Sequence, residues 1–264
     1  MERSICINHL SVSYQHFLIL KSLTLDLPMN RFNIIIGPNG CGKTTLIKTI
    51  AKLIYPSSGD ITVDNRSISQ YSYREYAKLL AYLPQSPTYP EGMCVSDIVV
   101  TGRHPYRSFF RPLSKHDLSI MDEVMEMMNI NQFRNDKMEE LSGGERQRVW
   151  IAATLAQETP IILLDEPTSY LDYQYQIEIL DTLKFLCESK KVTIVCVLHD
   201  INLSARYADN LVALKQGELY QAGSPDGVVT EELIKELYQI ENIVIKDPIY
   251  NKPLVIPMSK EKIN

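Results

Sequence analysis

The chain has 264 residues, of which 45% are hydrophobic and 22% charged, with a formal net charge of −5. That composition belongs to a globular protein with a sizeable core rather than a disordered one. It also argues against a protein that coats nucleic acid, which needs an excess of Lys and Arg against phosphate. No apolar run approaches the roughly 20 residues that cross a bilayer, and the N-terminus lacks a signal-peptide pattern. The five cysteines contain no CxxC pair, which points to a reducing cytosol rather than a disulfide framework or a zinc site.

Short apolar runs alternate with helical patterns along the chain, the signature of an α/β protein. Strands are predicted at Ile5–Leu10, Leu23–Leu27 and Phe32–Ile36, a helix at Lys43–Leu53, then strands at Ile61–Val63 and Ala81–Leu83. Strand patterns stop between about Pro87 and Gln157, where helices are expected at Ser114–Met128 and Gly143–Gln157. Met121, Met125 and Met128 fall at helical spacing there and read as core filler. A strand at Ile161–Leu164, a helix at Tyr173–Ser189 and a strand at Val192–Leu198 follow. Asn210–Ala222 reads as a hairpin turning at Gln216-Gly217, and Glu231–Gln239 as a helix. The three most apolar strands, Phe32–Ile36, Ile161–Leu164 and Val192–Leu198, are the candidates for a buried parallel centre. The expected organisation is a discontinuous core of residues 1–86 and 158–240, an inserted helical subdomain of 87–157, and a C-terminal tail of 241–264.

The run Gly37-Pro38-Asn39-Gly40-Cys41-Gly42-Lys43-Thr44-Thr45 matches G-x-x-x-x-G-K-[ST], between an apolar strand and an amphipathic helix. Glycines let successive backbone N–H groups close around phosphate, and the helix start adds its positive dipole end. Lys43 would reach the outer phosphates and Thr44 would bind Mg²⁺. Ile161–Leu164 runs into Asp165-Glu166. Adjacent residues on a strand face opposite ways, so Asp165 can address a metal's water shell while Glu166 is a candidate general base. Ser142 and Glu145, in Leu141-Ser142-Gly143-Gly144-Glu145, are spaced as a capping box. Two glycines in a first helical turn are costly unless backbone amides must approach an anion. Gln85, after Leu83-Pro84, and His199, at the end of the apolar run, carry no assignment by themselves.

Taken together and in this order, residues 37–45, Gln85, Leu141–Glu145, Asp165-Glu166, Ser169-Tyr170-Leu171-Asp172 and His199 resemble the Walker A, Q-loop, signature, Walker B, D-loop and switch motifs of ABC-transporter ATPases. The resemblance implies an ABC-type P-loop fold, a RecA-like core with an N-terminal antiparallel β subdomain and a helical insertion. It implies ATP and Mg²⁺ as cofactors, with Gln85 joining Thr44 and Asp165 around the metal, Tyr14 stacking on adenine and His199 contacting the γ-phosphate. It further implies a head-to-tail homodimer, in which one chain's 37–45 loop and the other's Ser142–Glu145 and Asp172 enclose ATP. Permease subunits and, indirectly, a substrate-binding protein would be partners at the cytoplasmic face of the membrane, with no nucleic acid. Thr101–Tyr106, Leu198–Asn202, Ala205–Asp209 and Asp247-Pro248 are similar to the ATPases of ferric-siderophore, haem and cobalamin importers. An exporter or metal-ion transporter ATPase would share the main motifs, and a non-transport ABC ATPase of DNA repair or translation is a further alternative.

Two expectations concern chemistry outside these motifs. The stretch Arg103–His116 carries Arg103, Arg107, Arg111 and Lys115 among Tyr106, Phe109 and Phe110 without a carboxylate. It reads as a solvated basic loop or as a surface near a permease and anionic lipid. Cys41 reads either as a residue small enough for a tight turn or, beside Lys43 at a helix start, as a thiol with a lowered pKa.

Overall fold

The computed structural model describes residues 4–107, 112–169 and 171–259. These divide into two units, one of the described residues up to Gln70 with those from Thr193 onward, the other of Tyr71–Val192.

The first unit opens with β1 (Ser4–Tyr14) and β2 (Phe17–Pro28), paired antiparallel. Ile5 and Ile7 point inward, the alternation breaks at Asn8-His9, where His9 takes φ 46°, and it resumes at Leu10 and Val12. This bulge carries the strand past its predicted end, because an extra residue resets which face the apolar side chains take. β3 (Phe32–Ile36) is buried at all five positions and is followed by α1 (Lys43–Ile50). β4 (Ser58–Val63) pairs antiparallel with β1, and β5 (Arg66–Ser67) completes a sheet of order β2-β1-β4-β5.

The second unit contains α2 (Tyr73–Leu79), β6 (Leu80–Leu83), α3 (Val95–Thr101), α4 (Lys115–Met127), α5 (Gly143–Leu155), β7 (Ile161–Asp165) and α6 (Tyr173–Lys190). β6 and β7 run parallel in the register Leu80↔Ile161 to Leu83↔Leu164. The long helices begin where the patterns place them. α4 is capped by Ser114, whose hydroxyl accepts from Asp117 N while the Asp117 carboxylate accepts from Ser114 N. Met121, Met125 and Met128 are buried, as core filler should be.

The chain then returns to the first unit. β8 (Thr193–Val197) pairs parallel with β3, and after α7 (Ile201–Tyr207) β9 (Asn210–Lys215) pairs parallel with β3 on its other side. β10 (Glu218–Gly223) folds back on β9 through the predicted Gln216-Gly217 turn. β3 and β8 read as continuous apolar runs because strands buried on both faces need no alternation. The one polar residue in β3, Asn33, is fully buried and bonded: its amide donates to Pro28 O at 3.0 Å and its carbonyl accepts from Asn210 Nδ2 at 3.0 Å. α8 (Pro225–Val228) and α9 (Glu231–Tyr238) follow. The residues read from sequence as a tail contain β11 (Asn242–Lys246) and β12 (Pro253–Pro257), an antiparallel hairpin. Among the described residues, no helix is long and apolar enough to cross a membrane.

Candidate active site

In the first unit, β3 delivers the chain into the Gly37–Thr45 loop and α1 begins at Lys43. Gly37 takes φ 146°, and a Cβ there would lie 2.3 Å from Leu214 O and 2.8 Å from Cys41 Sγ. Only glycine leaves room for the loop to close at that point. α1 is N-capped by Gly42 without a side-chain hydrogen bond, so no side chain competes with an anion for its first-turn amides. Lys43 is 5% exposed and folds back over the loop, donating to Gly37 O at 2.7 Å and Pro38 O at 3.0 Å. From below, Gly217 N in the β9–β10 turn donates to Cys41 O at 3.1 Å, and Gly217 O accepts from Lys21 N of β2 at 2.9 Å. The phosphate loop is thus fixed by two strands and a turn. Its residues fit a nucleotide triphosphate: a Cβ-free entry, helix-start amides, and an ammonium already held inside the loop. His199, just beyond β8, lines the same cavity as Gly37, Pro38 and Asn39. Thr44 and Thr45 are half-buried at the start of α1.

Cys41 corrects the expectation of a reactive thiol. It is buried, and desolvation raises its pKa against the opposing pull of Lys43, 4.0 Å away. Proximity to a cation lowers a thiol pKa only where the thiolate keeps some solvation. Cys41 therefore reads as a small residue filling a tight turn.

In the second unit, β7 ends at Asp165, which is 1% exposed. The next residue turns the chain sharply: Glu166 takes φ 54°, a left-handed conformation uncommon outside glycine. Its carboxylate is consequently brought between two partners, accepting from Gln85 Nε2 at 2.7 Å and from Ser169 Oγ at 3.0 Å, both at Oε2. Gln85, which means little by itself in the sequence, is thereby placed on the candidate base. Its amide nitrogen is engaged, and its carbonyl oxygen is the end suited to a cation. Tyr82 of β6 has its hydroxyl buried, and its pKa is raised by burial and by the Asp165 carboxylate. A buried carboxylate at a strand end and an amide oxygen are hard oxygen donors of the kind Mg²⁺ takes.

The capping box at the start of α5 forms as its spacing suggests. Glu145 N donates to Ser142 Oγ at 3.4 Å and Ser142 N to Glu145 Oε2 at 2.8 Å. The Ser142 side chain, with its backbone, holds the Glu145 carboxyl below the usual range. Ser142 and Gly143 remain exposed. A Cβ on Gly144 would come 3.3 Å from the Tyr175 ring and 3.8 Å from Leu171 Cδ2, so the second signature glycine admits α6 and the loop before it. Asp172 is the N-cap of α6. Tyr170 lies outside the described residues. Tyr14 sits at the β1–β2 turn, 47% exposed, paired with Phe17.

The reading of a solvated basic stretch after α3 is corrected at Arg103. Arg103 is 2% exposed, and its guanidinium donates to Asp117 Oδ1 at 2.8 Å, Glu158 Oε2 at 2.7 Å and Ala156 O at 2.7 Å, over the Tyr106 ring. Of its carboxylate partners, Asp117 lies one residue past the stretch and Glu158 far beyond it, so a charge count within the stretch sees neither. Phe109, Phe110 and Arg111 lie outside the described residues.

A strand-loop-helix holding a buried lysine, and a strand ending in Asp-Glu, define a P-loop ATP-binding cassette. The family described as ABC transporter matches residues 20–169. The chain is 42% identical over 260 residues to the petrobactin import ATP-binding protein FpuD of Bacillus anthracis, covering 98% of this chain and 95% of that one. It is 39% identical over 251 residues to the ferric enterobactin transport ATP-binding protein FepC of Escherichia coli K12, covering 95% and 93%. Among solved structures, a chain of an inward-facing ABC transporter provisionally classed as metal-chelate type superposes with TM-score 0.85 at 27% identity over 99% of both chains. The dimeric cassette MJ0796 superposes with TM-score 0.74 at 30% identity, covering 83% of this chain and 98% of that one. The chain belongs to the ABC transporter ATP-binding family.

Proposed function

We propose that this chain is the ATP-hydrolysing subunit of an importer for a ferric siderophore. Near-full-length similarity to proteins named for petrobactin and ferric enterobactin carries the cargo class. The ATPase chemistry is supported by the closed 37–45 loop with Lys43 inside it. Lys43 and the loop amides hold the β- and γ-phosphates, and Thr45 lies at the same helix start. Thr44 and Gln85 would hold Mg²⁺ directly and Asp165 through water; the ion supplies neutralisation of phosphate charge. Glu166 accepts the proton of the attacking water, and the bonds from Gln85 and Ser169 orient its carboxylate. His199 contacts the γ-phosphate from the wall of the loop's cavity. Tyr14 stacks on adenine. The Ser142–Glu145 start of α5, exposed at Ser142 and Gly143, and Asp172 serve the nucleotide of a second copy, so two chains complete two sites. The dimer works at the cytoplasmic face of the membrane on permease subunits, fed by a substrate-binding protein.

Mixing Lys43→Ala chains with Ser142→Arg chains tests the shared site. Neither variant alone should hydrolyse ATP appreciably. The mixture should regain activity through the one site that pairs the intact loop of the Ser142→Arg chain with the intact signature of the Lys43→Ala chain. Photocrosslinked ATP should then label both chains. Full activity of Ser142→Arg as a monomer, with label on one chain, would rule the composite site out.

A further inference from the structure

The C-terminal elements reach the phosphate loop. Tyr238 and Gln239, at the end of α9, line a cavity of about 410 Å³ together with Gly37, Pro38, Asn39 and His199. The Tyr238 hydroxyl lies beside the Gly37 backbone in this cavity, and burial pushes the phenol up to about 12. The Gly37 carbonyl in turn accepts from Lys43 Nζ at 2.7 Å.

The β11–β12 hairpin joins the two helices that bring His199 and Tyr238 to this cavity. On one side, Asn202, three residues after His199 and in α7, donates from Nδ2 to Val255 O at 3.1 Å and accepts at Oδ1 from Val255 N at 2.7 Å. A side-chain amide thus pairs with the β12 backbone as another strand would. On the other side, Glu231, the first residue of α9, accepts at its carboxylate from Val244 N at 3.1 Å and at its carbonyl from Asn242 Nδ2 at 3.0 Å. One hairpin holds both walls.

We propose that Tyr238 is a positioning residue for the phosphate loop, and that the β11–β12 hairpin is the clamp that keeps the Tyr238 and His199 walls of its cavity in register. The proposal rests on the reading of residues 37–45 as the ATP loop and assigns a role to the segment after it. Tyr238 acts before chemistry: with Gly37 fixed, the loop amides converge on phosphate without reorganising. Its loss weakens ATP binding more than the chemical step. Loosening the hairpin at Asn202 frees the segment carrying His199, which meets the γ-phosphate, and so falls on turnover.

The test compares the full chain with Tyr238→Phe and Asn202→Ala, measuring ATP turnover, affinity for a fluorescent ATP analogue, and Tm. Tyr238→Phe keeps the ring and removes the hydroxyl beside Gly37, so KM for ATP and the analogue Kd should rise about three- to tenfold with kcat within about twofold. Asn202→Ala should lower kcat about three- to tenfold with a smaller change in KM. A merely structural role would lower Tm while leaving KM, Kd and kcat per folded chain at parental values, and that result overturns the proposal. Parental KM in Tyr238→Phe overturns it as well. Failure of the unsubstituted chain to bind the analogue at all would show instead that the ATP-loop reading is wrong, and the proposal would fall with it.

Discussion

Replacing Glu166 with Gln is expected to lower ATP turnover by about 10²–10⁴-fold while leaving ATP binding intact. The substitution is nearly isosteric, and its amide oxygen can still accept from Gln85 and Ser169, which now bond Oε2 at 2.7 and 3.0 Å. What it cannot do is accept a proton from water. Because hydrolysis is what would release the two chains, the variant should also accumulate as an ATP-bound dimer on size exclusion. The left-handed turn at Glu166 makes a further point: the carboxylate is aimed by backbone geometry and not by strand alternation alone, so Glu166→Asp, one methylene shorter, should not restore turnover. Near-parental hydrolysis by Glu166→Gln would remove Glu166 from the role of base.

Replacing Lys43 with Ala should weaken ATP binding by about 10- to 100-fold, the range of a lost charge-assisted hydrogen bond to phosphate. The effect has two origins in the geometry. The ammonium that would meet the outer phosphates disappears, and so do its bonds to Gly37 O and Pro38 O at 2.7 and 3.0 Å, which tie the two ends of the loop together. Titration with a fluorescent ATP analogue measures the first. The second should appear as a lower Tm of the ATP-free chain, since the bonds that close the loop are lost whether or not ATP is present. Parental affinity in Lys43→Ala would exclude the loop as the phosphate site.

Much of this arrangement is legible in the sequence. β3, β7 and β8 lie within a residue of their predicted limits because strands buried on both faces write themselves as nearly continuous apolar runs, broken inside β3 by Asn33. α2, α3 and α7 escape the sequence pattern because each spans seven residues, too few turns for a 3.6-residue period to stand out. α2 nevertheless carried a usable signal in Ser72-Tyr73-Arg74-Glu75, which forms a capping box with bonds of 3.2 and 2.8 Å. β11 and β12 leave little pattern in the sequence, since a Pro lies near the end of one strand and opens the other, and their inward face rests on α7 through a side-chain amide that no local pattern encodes. At the site, every motif that depends on local spacing was visible. What depended on distant contacts was not: the burial that raises the Cys41 pKa, the carboxylates that bury Arg103, the Gly217 amide on Cys41 O, and Tyr238 against Gly37. Ser169 lies three residues beyond Glu166, near enough for a turn, but only the left-handed Glu166 shows why its hydroxyl lands on that carboxylate.

The most direct measurement is accumulation of radio-iron supplied as a ferric siderophore by cells lacking this chain's gene. Deletion should abolish ATP-dependent accumulation, the parent chain should restore it, and Glu166→Gln expressed at the same level should not, although it still binds ATP. Undiminished accumulation in the deletion strain, or restoration by Glu166→Gln, would contradict the account that hydrolysis at this site powers the uptake.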